Sequence, residues 1–80
     1  MTKREILAIF DHAWGFLSPD QVCARLQPRP DRRSFYSYLL RLHHQGLLER
    51  RKARRGTLAY RLTERGRARL RYFQQREAKG

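Results

Sequence analysis

The residues of this chain best suited to chemistry are cations, and the chemistry they suit is the binding of phosphate. Lys and Arg number 19 against 7 Asp and Glu, a formal net charge of +12 over 80 residues. Most of the cations are arginines, whose planar forks match both phosphate oxygens and the guanine edge. Between residues 50 and 71 stand ten cations (Arg50, Arg51, Lys52, Arg54, Arg55, Arg61, Arg65, Arg67, Arg69 and Arg71) and one carboxylate, Glu64. Charge this dense repels itself, so a polyanionic partner is expected: nucleic acid first, an anionic membrane surface second. A second group, Arg29, Arg32, Arg33, Ser34, Tyr36, Ser37 and Arg41, mixes cations with hydroxyls that hydrogen-bond phosphates or base edges.

Other chemistries find little support. Cys23 is the single cysteine, so no internal disulfide forms, which fits a reducing cytoplasm. His43 and His44 are adjacent and diverge on a helix, and His12 and Cys23 complete no metal-ligand spacing, so no metal or other cofactor is expected. No Gly-rich phosphate loop or nucleophile motif is present, and the chain reads as a non-enzyme. Asp20, Asp31 and Glu64 read as caps and surface charges, while His43 or His44 suits the dipole at a helix C-terminus. Apolar runs are a few residues long, too short to span a membrane, and the first ten residues lack a secretory pattern. A cytoplasmic, nucleoid-associated protein is expected.

The elements that must position the cations follow from caps and periodicity. Thr2 to Glu5 reads as a capping box, and Ile6, Ile9, Phe10 and Ala13 recur at helical spacing, with Leu7 and Trp14 widening the stripe and Gly15 as the stop. Phe16 and Leu17 read as an extended link. Ser18-Pro19-Asp20-Gln21 is a strong start for a short second helix, with Val22 and Leu26 inward and Pro28 and Pro30 ending it. Asp31 can cap a third helix, over 31–45, with Phe35, Tyr38, Leu39 and Leu42 inward and Gly46 as its stop. Leu40 falls outside that stripe. Residues 47–53 and 57–62 read as strands joined by Arg54-Arg55-Gly56, with Gly56 supplying the positive φ and Tyr60 and Leu62 facing inward. Thr63 can cap a last helix over 64–77, where Tyr72 and Phe73 suit a dimer contact, with packing on the first helix the alternative for Phe73.

The expected fold is one domain over 1–80, mainly α with a small β-hairpin: a winged helix-turn-helix of about four helices plus a two-stranded wing. Residues 35–50, Phe-Tyr-Ser-Tyr-Leu-Leu-Arg-Leu-His-His-Gln-Gly-Leu-Leu-Glu-Arg, resemble the passage from recognition helix to wing of bacterial winged-helix regulators. Tyr60-Arg-Leu-Thr-Glu-Arg-Gly66 is similar to the segment that follows the wing in PadR-like and MarR-like repressors. The resemblance spans residues 3 to 75 and implies sequence-selective duplex binding, commonly as a homodimer and often as a repressor.

On that reading helix 31–45 enters the major groove of double-stranded DNA through Arg32, Arg33, Ser34, Tyr36 and Ser37, with Arg41 on a phosphate. Arg29 precedes it, and the basic wing 47–62 carries Arg51, Lys52, Arg54 and Arg55 to the backbone or a minor groove. The plainer alternative for the wing is a solvated edge guarded by charge. A homodimer through the first and last helices is expected. Two other functions fit the same cations: an RNA-binding or ribosome-associated winged helix, and a protein-interaction module in a phage or mobile-element nucleoprotein complex.

Overall fold

Three polar side chains start the first three helices. Thr2, Ser18 and Asp31 accept the backbone amides of Glu5, Gln21 and Ser34 at 3.2, 3.2 and 3.0 Å. In the computed structural model, which describes residues 2–13 and 15–79 (the backbone alone for Arg54 and 77–79), they open α1 (Lys3–Asp11), α2 (Pro19–Cys23) and α3 (Arg32–His44). A hairpin follows, β1 (Leu48–Lys52) and β2 (Leu58–Leu62) joined by a single 3-10 turn at Arg54–Gly56, and then α4 (Glu64–Lys79). At Ser18 the box is reciprocal, because the Gln21 side chain accepts the Ser18 amide at 2.8 Å. At Thr2 only the half made by the threonine hydroxyl is present. Helix α1 stops at Asp11 rather than at Gly15: the Ala13 amide reaches back only three residues, to Phe10, and the chain has left the helix before the glycine. Trp14 lies outside the described residues.

The chain is thus mainly helical with a two-stranded antiparallel wing, the arrangement of a small winged helix. Leu48 pairs with Leu62, Arg50 with Tyr60 and Lys52 with Leu58. Leu17 adds an antiparallel bridge to Tyr60, exchanging both amide–carbonyl bonds at 2.8 Å. The link after α1 is therefore a third, one-residue strand that fastens the wing to the helices.

One cluster gathers Ile6, Leu7 and Phe10 of α1, Leu17, Val22 and Leu26, Phe35, Leu39 and Leu42 of α3, Leu47, Leu48, Tyr60 and Leu62 of the hairpin, and Leu70 of α4. Helix α4 packs on α1 and β2, while α3 packs on α2 and β1. Phe73 lies half-buried against this cluster, and Arg67 of α4 reaches the Asp11 carboxylate at 3.4 Å. Helices α1 and α4, through which a homodimer is expected, pack on one another along their inner faces, and Tyr72 stays exposed on the outer side of α4.

The join between α3, the wing and α4 is the most tightly specified part of the fold. Gly46, at φ +80°, ends α3 in a Schellman turn: its amide bonds the His43 carbonyl at 2.9 Å and the Leu47 amide bonds that of Leu42 at 3.0 Å. The Thr63 hydroxyl donates to the Gly46 carbonyl at 2.7 Å and accepts the Gly66 amide at 3.0 Å. The Thr63 amide donates to the Leu47 carbonyl at 3.1 Å. One threonine thus caps α4 and ties it to the end of α3. Of the residues that carry the resemblance, Leu62, Thr63 and Gly66 serve this join, and Tyr60 holds the bridge to Leu17.

Candidate nucleic-acid interface

Helix α3 buries Phe35, Leu39 and Leu42 and half-buries Tyr38 and His43. At 100° per residue this leaves Arg33, Ser37, Leu40 and His44 (i, i+4, i+7, i+11) as the ridge farthest from the core, flanked by Ser34 and Arg41. All six are exposed, Leu40 at 36%. Arg29 is exposed in the turn just before the helix. His44 belongs to this ridge, although its sequence position suggested only a dipole role. His43 does something else: its Nδ1 faces the Leu48 carbonyl at 2.9 Å, which requires it to be the protonated nitrogen, and so pins α3 to β1.

Arg32 and Tyr36, both expected at the interface, stand beside the ridge in a cluster with Asp20 of α2. The Arg32 guanidinium donates to Asp20 at 3.2 Å and to the Tyr36 hydroxyl at 3.4 Å, and that hydroxyl donates to Asp20 at 3.0 Å. The bond to Tyr36, then the charge of Asp20, holds Arg32 still more firmly protonated than a free arginine. Both members of the ion pair are largely exposed (73% and 64%), so the cluster orients side chains more than it stabilises the fold. It also neutralises the one carboxylate on α2 that faces this surface. Burial pushes the Tyr38 phenol up and keeps it neutral.

The wing carries two different faces. Along one, Leu48 and Tyr60 are buried, and the strand then runs out through Arg50 and Lys52 as it leaves the core. Arg50 lines a cleft of about 490 Å³ with Pro19, Tyr36, Ser37 and Leu40, so this face looks onto α3. Arg51 lies on the opposite face. Its guanidinium stacks over Phe16 at 4.1 Å, Arg61 covers the same ring at 4.8 Å, and Arg61 also pairs with Glu49 across the strands. Arg51 and Lys52, read together from the sequence, therefore point to opposite sides, and Arg50 takes the inner position. Period-two alternation from Leu48 would have found Arg50 had the register been known. The Arg54 side chain lies outside the described residues.

At the tip, Arg55 (φ 63°, ψ 24°) and Gly56 (φ 75°) are both left-handed, so glycine is not the sole supplier of positive φ. A non-glycine residue there is strained by about 1–2 kcal/mol. Arg55→Gly relieves that strain while enlarging the freedom of the unfolded chain. The expected net gain of about 0.5 kcal/mol raises Tm by roughly 3 °C in a thermal melt. A lower Tm would mean that the Arg55 side chain itself stabilises the hairpin.

Among the described residues no three His, Cys, Asp or Glu side chains come together as a metal-binding group, and no helix is long and apolar enough to cross a membrane. Cys23 is half-buried against the core. No protein-family model matches the chain, and no curated protein matches its sequence.

Proposed function

We propose that the protein is a sequence-selective binder of double-stranded DNA, with α3 in the major groove and the wing on the flanking backbone. Repression of transcription by occupying the site is its consequence. The observation that supports this most is the pairing of two projecting surfaces, the ridge of α3 and the inner face of the wing: Ser37 and Leu40 of the first and Arg50 of the second line one open cleft, and Arg33 and Lys52 are exposed farther along the same helix face and the same strand face. The first half of such a helix is the part that meets base edges. The cations around it suit the phosphates on either side, which position a protein without reading sequence.

Arg29, Arg41, Arg50, Lys52 and Arg55 are exposed and placed for phosphate contact. At about 0.9 per contact, they predict a slope near −4.5 in log affinity against log salt for a duplex titration. A slope near zero would rule the reading out. Structured RNA in competition tests the main rival, because the narrow major groove of an A-form helix does not admit α3. RNA winning at equal salt would overturn the duplex assignment.

A further inference from the structure

Helix α4 carries a charge that neither the ridge nor the wing uses. Arg65, Arg67, Arg69, Arg71 and Arg76 are all exposed, while Gly66 and Leu70 face the core. Arg65, Arg69, Tyr72 and Arg76 (i, i+4, i+7, i+11) form one stripe, with Arg76 over the Tyr72 ring at 5.8 Å. Arg67 and Arg71 form a second stripe on the other flank. Arg67 meets the Asp11 carboxylate, whereas Arg65, Arg69 and Arg71 meet none among the described residues.

This placement works against the helix. Arg65 with Arg69, and Arg67 with Arg71, are like charges one turn apart, which repel. Arg65 and Arg67 also stand in the first turn, where the helix dipole is already positive. Helical stability therefore does not account for them, and self-association through either stripe would set arginine against arginine. A row of phosphates accounts for both.

This face lies away from the base-reading end of α3, and only Arg65, at its start, approaches the His44 end of the ridge. The Arg65 side chain lies beside Gly46, at the end of the 13-residue α3 opposite to Arg33, about 20 Å along the helix. The wing tip is similarly remote, at the far end of five-residue β2, about 17 Å from the start of α4. We infer that α4 is a second duplex-binding surface, which grips the phosphate backbone of a separate DNA segment so that one molecule bridges two duplexes. The inference rests on the reading of α3 and the wing as the first duplex site. The second contact carries no base recognition, since only backbone charge is engaged.

The test is capture of a fluorescent duplex by protein saturating a first, bead-bound duplex, with the mass of DNA-free protein measured by sedimentation. The wild type is expected to capture the second duplex and to sediment as a monomer. The triple variant Arg65→Gln, Arg69→Gln, Arg71→Gln keeps helix propensity and leaves the core untouched. It is expected to bind the beads with the same sequence preference and to capture at least tenfold less of the second duplex. Arg33→Ala is expected to lose preference and keep capture. Capture by the triple variant equal to wild type overturns the inference, as does a bead-bound wild type that captures nothing. A wild-type dimer dissolved by the triple substitution also overturns it, assigning α4 to self-association. Failure to bind the bead duplex at all sinks the duplex reading itself and this inference with it.

Discussion

Gly66→Ala is expected to lower the melting temperature by roughly 12–24 °C, the largest effect of a methyl group added at any described glycine of this chain. A Cβ at Gly66 would stand 2.2 Å from the Leu47 carbonyl oxygen and 2.7 Å from Leu62 Cδ1. The Leu62 side chain is buried and has little room to turn, and the Leu47 carbonyl is backbone that already accepts the Thr63 amide. Nothing at the contact yields cheaply, so α4 itself must move outward. That motion breaks the bonds by which Thr63 holds the end of α3. Overpacking of this kind costs about 1–3 kcal/mol, and each lost hydrogen bond about 1 kcal/mol more. The better helix propensity of alanine returns about 1 kcal/mol. The net loss of about 3 kcal/mol is a large share of the 4–12 kcal/mol expected of a domain this size. Gly15→Ala is the control, since a Cβ there meets nothing within 4 Å, and circular dichroism melts of the two variants decide the matter. An unchanged Tm for Gly66→Ala would mean that α4 does not start against Leu47.

That join also shows what could be read from the sequence and what could not. The caps at Ser18 and Asp31, the inward stripe of α3 and the Gly46 stop are local: each follows from residues within a turn of one another, and each is found where expected. The resemblance at Tyr60, Leu62, Thr63 and Gly66 pointed to the fold, and the structure gives its physical content, a threonine cap bonded to a glycine carbonyl 17 residues earlier. Nothing local announces that bond. The same limit governs the site. Which wing residues face α3 depends on the pairing of Arg50 with Tyr60, and the engagement of Arg32 and Tyr36 depends on Asp20 arriving from another helix. Leu17 read as a link because a one-residue strand has no periodicity, and Phe16 became a platform for two arginines only through that bridge. Residue types pointed to the partner chemistry, but long-range geometry decides which side chains share a surface.

Among substitutions that leave the fold intact, Arg33→Ala is expected to have the largest effect on DNA selectivity. Arg33 is exposed on the outermost ridge of α3, in its first turn, and meets no carboxylate among the described residues. Its neighbour Arg32 is already committed to Tyr36 and Asp20. On the proposed duplex reading, Arg33 is therefore the arginine of this helix placed to take a guanine O6 and N7 together, a contact that discriminates by about 1–3 kcal/mol. Loss of the fork should reduce preference for the selected sequence by roughly 5- to 150-fold, concentrated at one base pair, while Tm moves little because the side chain is solvated. Arg33→Lys separates charge from geometry: the ammonium keeps the attraction to the duplex but cannot bind the guanine edge as a planar fork. Selection from a random duplex pool should thus show the alanine and lysine variants alike in lost preference at that position, with the salt slope set by the phosphate contacts unchanged in both. Arg32→Ala should leave the preferred sequence in place and act on affinity, through release of the Asp20 carboxylate toward the phosphates. If Arg32→Ala erased the preference while Arg33→Ala kept it, the reading edge of α3 would lie on the Asp20 side of the helix, and the ridge would face solvent or another partner.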